Sequence, residues 1–285
     1  MEILKYEMLH TDTIIRNNKT LYRIRALKDF NDIKKGDLGG YIEREDNLSQ
    51  YGNCWVYENC YVYENGHIDE NAIIMRGSEV FGNAEVRRGA IVIEDSKVYG
   101  CANISGKSFI EESEVYGYVS MTGNSIVSGN SKVYDNVKLR ENSIITNNSK
   151  IYGNAIIFNN SYINNSEVFG DAKIGGRITV LENSKICGNT YSISNAIFNG
   201  NAYVRNNNEF LFISPINKSD ITIYKTTNKN IIKVVDTNLF DGKINPTGIE
   251  IKEYKKIISK KYKDNKELKD LYNMCIKIAK NKFML

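Results

Sequence analysis

The chain has 285 residues, of which 41% are hydrophobic, and its 38 basic and 34 acidic residues leave a net charge of +4. This length and apolar content allow one large packed domain or two ordinary ones and exclude an intrinsically disordered protein. The small net charge excludes a chain-wide nucleic-acid-binding signature, although a local basic face near the Lys-rich C-terminus stays open.

No stretch of about 18 apolar residues occurs, and the segment from Met1 to Arg16 lacks the apolar core of a signal peptide. We therefore expect a soluble, cytoplasmic protein with no membrane contact and no specific nucleic acid partner. The five cysteines are odd in number and lack CxxC spacing, which is typical of reduced thiols in a cytosolic protein. Because His10 and His67 are the only histidines, a three-histidine zinc site of the carbonic anhydrase type is excluded, and we predict no metal.

Residues 1–47 are predicted to form an N-terminal β cap. The stretch from Thr13 to Phe30 contains two alternating runs around Asn17-Asn18, a pattern that indicates a β-hairpin. A cap of this kind covers the backbone groups that the open end of a β-helix leaves unpaired.

Residues 48–210 are predicted to form a β-helix, because a six-residue pattern recurs through them. The most visible copies, VFGNAE at 80, VYGCAN at 98 and VYGYVS at 115, follow one another at intervals of 17 or 18 residues, and each interval holds two further copies. One position of the pattern is aliphatic: Val56, Val62, Ile68, Ile74, Val80, Val86, Val92, Val98, Ile104, Ile110, Val115, Met121, Val127, Val133, Leu139, Ile145, Ile151, Ile157, Ile163, Val168 and Ile174. The position two before it is small, as in Ala84 and Ser96.

Side chains two apart on a strand point the same way, so the aliphatic and small residues share one interior. Gly-Asn and Asn-Asn pairs between the hexads accept positive φ and allow a sharp turn after each short strand. Three strands and three turns then make one coil. We therefore predict an all-β, single-stranded left-handed parallel β-helix of hexapeptide repeats, with about eight or nine coils. The pattern becomes uneven after Ile174, where the next matches are Ile186, Ile193, Phe198 and Val204.

Residues 211–285 are predicted to form a small β-plus-α tail. The stretch from Asp220 to Val235 indicates a second hairpin around Thr227-Asn228. After Gly248, apolar residues recur at helical spacing: Ile251, Tyr254, Ile257, Ile258, Leu268, Leu271, Cys275, Ile278 and Ala279.

The outward positions of the hexads form rows that differ from face to face. The first face carries an aromatic row of Tyr63, Phe81, Tyr99, Tyr116, Tyr134, Tyr152 and Phe169. The same face carries a charged row of Glu79, Lys97, Glu114, Lys132, Lys150, Glu167 and Lys185. The third face carries an apolar row of Ile73, Ile91, Phe109, Ile126, Ile144 and Tyr162. The second face is polar, as an ordinary solvated surface is.

Two interpretations of the aromatic row stay open. Ladders of aromatic residues stabilise any parallel sheet through contacts between coils and need no partner. Alternatively, the aromatic row together with Lys97, Lys132 and Lys150 binds a ligand. The apolar row is longer than the apolar patches that soluble monomers expose, so we expect it to be covered by self-association as a trimer or dimer, or by the C-terminal helix.

Residues 21–66, LYRIRALKDFNDIKKGDLGGYIEREDNLSQYGNCWVYENCYVYENG, together with the YGNA-like repeats resemble a family of hexapeptide-repeat proteins of bacteria, phages and prophages. Members of that family are labelled acyltransferases or polymer-forming proteins. The segment from Val234, VVDTNLFDGKINPTGIEIKEYKKIISKKY, is similar to the hairpin-and-helix tail of the phage-type members. The resemblance implies the fold more strongly than any activity.

Three functions stay open. We expect a non-enzymatic binding protein, phage-encoded or prophage-encoded, whose aromatic and charged rows bind a host protein or a small anionic, nucleotide-like ligand without a cofactor. The alternative implied by the resemblance is an acyltransferase, which binds acyl-CoA between the prisms of a trimer and uses a histidine as general base. Only His67 lies in the repeats to serve as that base, with Glu64 and Asp69 nearby to orient it. The third possibility is a structural, polymer-forming protein.

Overall fold

The predicted fold class is confirmed by the structure, a computed structural model. The chain is mostly β, with a parallel β-helix of about nine turns, a small antiparallel sheet and a C-terminal pair of helices. The chain divides into two compact units, Met1–Gly153 and Asn154–Leu285. The structure describes residues 4–216, 219–228, 231–237, 239 and 248–284.

The described part of the first unit is built mainly from strands, most of them only two or three residues long. In chain order they are β1 Tyr6–Arg16, β2 Lys19–Ala26, β3 Leu38–Ile42, β4 Trp55–Val56, β5 Tyr61–Val62, β6 His67–Ile68, β7 Ile73–Ile74, β8 Glu79–Val80, β9 Glu85–Val86, β10 Ile91–Ile93, β11 Lys97–Val98, β12 Asn103–Ile104, β13 Phe109–Glu111, β14 Glu114–Val115, β15 Ser120–Met121, β16 Ile126–Val127, β17 Lys132–Val133, β18 Lys138–Leu139, β19 Ile144–Thr146 and β20 Lys150–Ile151.

These strands build three parallel sheets in which every third strand pairs with the next. The first face runs β3-β5-β8-β11-β14-β17-β20. The second face runs β6-β9-β12-β15-β18. The third face runs β4-β7-β10-β13-β16-β19. Every third strand pairs because the chain turns after each six-residue unit, so three strands complete one coil.

The N-terminal hairpin is confirmed and extends the first face. Strands β1 and β2 are antiparallel, and Asn17 and Asn18 have φ of 47° and 60°, the left-handed geometry of a two-residue hairpin turn. Strand β2 pairs antiparallel with β3, and β3 pairs in parallel with β5 through Tyr41–Tyr61 and Ile42–Val62. The cap therefore joins the β-helix by hydrogen bonding to its first face.

The interior matches the predicted register. Every aliphatic residue of the pattern, from Val56 to Ile174, is fully buried. The small residues also carry hydrogen bonds between coils, because Ser113 accepts from the backbone N–H of Ser131 at 3.1 Å and Ser131 accepts from that of Ser149 at 3.3 Å. At the corners, Gly82 has φ of 69°, and a Cβ there would lie 2.8 Å from the backbone nitrogen of Gly100.

The described part of the second unit continues with short strands and ends in two helices. In chain order they are β21 Ile156–Ile157, β22 Tyr162–Asn164, β23 Glu167–Val168, β24 Lys173–Gly176, β25 Thr179–Val180, β26 Lys185–Ile186, β27 Tyr191–Ser194, β28 Ile197–Phe198, β29 Tyr203–Val204, β30 Phe210–Ile216, β31 Ser219–Lys225, β32 Ile232–Asp236, β33 Ile249–Glu250, α1 Ile251–Lys261 and α2 Lys266–Phe283.

Parallel pairing also organises the first part of this unit, as β21-β24-β27, β22-β25-β28 and β23-β26-β29. Ile186, Phe198 and Val204 are buried as predicted. Ile193 is not an interior residue, since 54% of its surface is exposed and Ser192 is buried in its place. Ser192 pairs in register with the buried Ile174 of β24, and Ile193 pairs with Gly175. Ser192 also keeps the six-residue spacing between Ile186 and Phe198, so it takes the inward position and the next residue faces outward.

The predicted β-plus-α tail is present. Strands β30, β31, β32 and β33 form an antiparallel sheet, in which the predicted hairpin is the β31–β32 pair. Residues 229–230 of its connection lie outside the described residues. The helices α1 and α2 pack on this sheet through buried residues such as Tyr254, Ile258 and Tyr272, and the Tyr254 hydroxyl donates to Oδ2 of Asp236 at 2.7 Å.

Candidate functional site

The aromatic row forms a regular stack in the first unit. Its rings from Tyr63 to Tyr152 lie nearly parallel, with interplanar angles of 2° to 5° and centroid distances of 4.7 to 5.1 Å. This spacing follows the distance between neighbouring strands, so each ring contacts the next and leaves no gap for a planar ligand between them. Phe169 belongs to the second unit and is half-buried there. The geometry favours a stabilising ladder.

Tyr63, expected among the outward binding residues, is fully buried. Its hydroxyl accepts from Nδ2 of Asn17 at 2.8 Å and donates to Oε2 of Glu79 at 3.1 Å, and its ring packs with Leu21 and Tyr41. The cap hairpin therefore covers this end of the aromatic row. A ligand on the surface cannot contact Tyr63, so it is removed from the candidate binding residues.

The charged row is largely neutralised within the first unit. Lys132 pairs with Glu114 at 3.0 Å, and Lys97 lies 4.0 Å from Glu79, whose carboxylate also accepts from Arg16 at 2.5 Å. Burial and the adjacent carboxylate of Glu114 raise the pKa of Tyr99 to about 12. Lys97 and Lys132 thus lie beside acidic partners, which weakens their attraction for an anion. Lys150 is exposed and makes no ion pair with the described residues.

A groove of about 380 Å³ lies at the corner beside the charged row. Its charged lining residues are Glu94, Asp95, Lys97, Glu112, Glu114 and Lys132. Four carboxylates face two ammonium groups there. The excess of negative charge does not favour the small anionic ligand that the sequence suggested for this face.

The apolar row is continuous along the third face of the first unit. Ile73 pairs in register with Ile91, Ile91 with Phe109, and the row continues through Ile126 to Ile144. Each of these five side chains is half-buried. Tyr162 belongs to the second unit, where its hydroxyl accepts from Asn164 at 2.7 Å. The first unit thus presents a ladder of partly exposed apolar side chains.

His67 lies on the second face, in β6, opposite Glu85 of β9. Its ring is half-buried, and Nδ1 lies 2.6 Å from the backbone carbonyl oxygen of Asp46. A carbonyl can only accept a hydrogen bond, so Nδ1 carries the proton in the neutral ring and Nε2 keeps its lone pair. His67 is therefore held in the tautomer that a general base acting through Nε2 requires.

The 3-10 turn Glu45–Asn47 supplies the carbonyl that orients His67. Asn47 is fully buried and uses both ends of its amide to fix the turn. Its oxygen accepts from the N–H groups of Glu43 and Arg44 at 3.1 and 2.9 Å, and its nitrogen donates to the carbonyls of Glu64 and Gly66 at 3.1 and 2.7 Å. The same side chain thus holds the turn against the segment that leads into β6.

Of the two carboxylates expected to orient His67, neither contacts Nδ1. The carboxylate of Glu64 accepts from the backbone N–H of Gly82 at 2.9 Å. Burial opposes ionisation of Asp69, but hydrogen bonds from Glu70 and Ser49 and the charge of His67 hold the pKa of Asp69 below its usual range. Asp69 is therefore an electrostatic neighbour of the imidazole, while the orienting group is the Asp46 carbonyl.

The predicted site residues do not form one cluster. The aromatic and charged rows lie on the first face, the apolar row on the third, and His67 on the second. Sequence reasoning missed Asp46 and Asn47, because a backbone carbonyl leaves no residue-type signal and a buried asparagine in a turn is indistinguishable from a solvated one.

No helix in the described part of the chain combines the length and apolarity needed to cross a membrane. No protein-family model matches the chain. A protein of Escherichia coli (strain K12) named "Uncharacterized acetyltransferase YdcK" is 49% identical over 41 residues, which are 14% of this chain and 13% of that protein. The chain thus matches only about an eighth of the length of this relative. The similarity thus relates only a short segment of this chain to a protein that is named an acetyltransferase.

Proposed function

We propose that this protein is a β-helix acyltransferase in which His67 is the general base and an acyl-CoA is the donor. The observation that carries the proposal is the hydrogen bond from Nδ1 of His67 to the Asp46 carbonyl, which leaves the basic Nε2 available. The acetyltransferase name of the partial relative supports the same reaction class. The hexapeptide-repeat resemblance adds the expectation of acyl-CoA as donor.

In this reaction the hydroxyl or amine of an acceptor attacks the thioester carbonyl carbon. Nε2 of His67 takes the proton of the attacking group as the new bond forms. The carbon–sulfur bond then breaks, and the leaving thiolate takes the proton from the imidazolium. The negative charge of Asp69, which already interacts with His67, stabilises the imidazolium between these two transfers.

The test is acyl transfer from acetyl-CoA to a panel of amines and sugars, measured as thiol release with the full-length protein. The informative variant is His67→Asn, because the asparagine amide can still donate to the Asp46 carbonyl but has no basic nitrogen. We expect its rate to fall by about 10²-fold to 10⁴-fold. His10→Ala is the matched control, since His10 is exposed and only packs edge-on against Tyr22.

An inactive wild-type protein across the panel, or full activity in His67→Asn, contradicts the proposal. Loss of activity in His10→Ala would show that the assay reports folding rather than His67.

A second candidate is a non-enzymatic binding protein that assembles through the apolar row, and the half-burial of this row in the first unit favours it. Burying such a ladder against a second copy removes apolar surface from water at about 25 cal/mol per Å². The test is the mass in solution of the wild type and of an Ile91→Glu, Ile126→Glu variant. We expect an oligomer that the variant dissociates, with Lys138→Glu on the second face as control, and a monomeric wild type contradicts this candidate.

A further inference from the structure

A groove lined by lysines runs along α1 and α2 in the second unit. One cavity of about 550 Å³ is bounded by Ile251, Lys252, Lys255, Lys256, Ser259, Lys260 and Lys280. A second of about 310 Å³ is bounded by Lys255, Asn273, Ile276, Lys277 and Lys280. Because Lys255 and Lys280 border both cavities, the two form one groove with lysines on both walls.

None of the described residues that line this groove is acidic. Among the described residues, none of its six lysines makes an ion pair. This differs from the charged row of the β-helix, where Lys97 and Lys132 face carboxylates. Unpaired ammonium groups that converge on one concavity repel one another and raise the local positive potential. The groove therefore attracts a ligand that carries several negative charges.

The backbone that presents these lysines is well anchored. On α1, Tyr254 and Ile258 are fully buried against the antiparallel sheet, and on α2 Tyr272 and Ala279 are fully buried as well. The helices thus present the lysines from a packed support. Preorganised positive charges bind an anion without the cost of ordering a loop.

The lining of the groove discriminates between classes of polyanion. Basic helices that bind membranes place large apolar side chains next to their lysines. Here the exposed apolar residues Leu271, Met274 and Ile278 of α2 are not among the described residues that line the groove. At 100° per residue they lie roughly 120 to 180° around the helix from Lys280. Single-stranded nucleic acids are bound by stacking bases on aromatic residues, and none of the described residues that line the groove is aromatic.

We propose that the α1–α2 groove binds the phosphate backbone of duplex nucleic acid independently of base sequence. Lysine ammonium groups bind phosphates as point charges, and contacts of this kind fix a protein on a duplex without reading bases. Such binding agrees with the expectation that the chain has no specific nucleic acid partner. It uses residues remote in sequence from His67 and does not depend on the proposed acyl transfer.

The test is fluorescence anisotropy of a labelled duplex DNA with the full-length protein at several salt concentrations. The double variant Lys255→Gln, Lys280→Gln removes the two lysines common to both cavities. We expect this variant to bind the duplex more weakly than the wild type. The slope of log affinity against log salt concentration should be shallower by roughly 1.8, because each lost phosphate contact removes about 0.9. Lys107→Gln, Lys138→Gln is the matched control, because it removes the same charge from exposed positions of the β-helix.

Circular dichroism checks that both variants keep the wild-type fold. If the Gln variant misfolds, Lys255→Ala, Lys280→Ala replaces it. Duplexes of unrelated sequence should bind alike. Absence of binding at low salt overturns the proposal, as does equal weakening in the Lys107, Lys138 control. Tighter lysine-dependent binding to vesicles of anionic phospholipid, or to single-stranded DNA, also overturns it in favour of those ligands.

Discussion

Nζ of Lys5 lies 3.1 Å from Sγ of Cys54, and both residues are fully buried. The same ammonium group donates to the carbonyls of Cys54 and Tyr51 at 3.0 and 3.3 Å. Burial lowers the pKa of Lys5 and raises the pKa of Cys54, so both shifts disfavour the charged form of the group. Lys5 thus supplies a hydrogen-bond donor to the carbonyls of Tyr51 and Cys54 in the first coil, where no backbone N–H of the described residues donates to them.

Replacing Lys5 by Met keeps the length of the side chain and removes its donor. We expect the free energy of unfolding to fall by about 1–3 kcal/mol, because the carbonyls of Tyr51 and Cys54 lose a buried donor. The pKa of Lys5 is lowered in the folded state, so between that value and the ordinary lysine value of about 10.4 only the unfolded chain holds the proton. Wild-type stability should therefore rise with pH through this window relative to Lys5→Met, measured by urea unfolding. Parallel pH profiles would contradict the assignment, and Lys107→Met serves as the exposed control.

The carboxylate of Glu79 predicts a pH dependence of the same sign, but in the acid range. Burial alone would raise the pKa of Glu79, but Arg16, the Tyr63 hydroxyl and Lys97 outweigh burial and hold it below its ordinary value. Its stabilising effect is complete above the unfolded pKa of about 4.3 and disappears as the pH falls through the folded value. We expect Glu79→Gln to lower the free energy of unfolding at neutral pH by about 1–3 kcal/mol and to converge with the wild type in acid. A constant difference at all pH values would exclude this mechanism.

The interior of the β-helix could be predicted from the sequence because each coil repeats the same local rule. A hexad contains one aliphatic residue, one small residue and one turn, so the positions from Val56 to Ile174 follow from neighbours in the chain. Ile193 was assigned to the interior wrongly because the inward position, six residues after Ile186, is held by the polar Ser192, and the apolar residue next to it lies on the other side of the strand.

The outward positions and the site depend on contacts between distant segments, which a repeat pattern does not encode. Tyr63 has the same place in its hexad as Tyr99, yet the hairpin β1–β2 buries the first and leaves the second half-exposed. Similarly, His67 gains its partner from a backbone carbonyl 21 residues earlier, at Asp46. The sequence identified His67 as a candidate base but carried no signal for the group that orients it.

The aromatic row predicts a stability effect that separates a ladder from a binding surface. Tyr116 stacks on Tyr99 at 4.7 Å and on Tyr134 at 5.1 Å, and each aromatic pair contributes about 0.5–1.5 kcal/mol beyond area burial. We expect Tyr116→Ala to lower the midpoint of urea unfolding, corresponding to about 1–3 kcal/mol. Tyr118→Ala is the control, because Tyr118 is 69% exposed and should change stability by less than about 0.5 kcal/mol. Unchanged stability in Tyr116→Ala would indicate that the row is maintained for a ligand instead.

Asn47 predicts a positioning effect on His67 that can be measured without substrate. Its buried amide fixes the turn that carries the Asp46 carbonyl, so Asn47→Ala should release the constraint on the imidazole. In ¹⁵N NMR of the wild type at alkaline pH, we expect neutral His67 to carry its proton on Nδ1. Asn47→Ala should shift the ring toward the mixture of tautomers that an unconstrained imidazole adopts. If acyl transfer occurs, its rate should fall in the same variant while His10→Ala leaves it unchanged. A wild-type ring protonated on Nε2 would contradict both the orienting role of Asp46 and the assignment of Nε2 as the base.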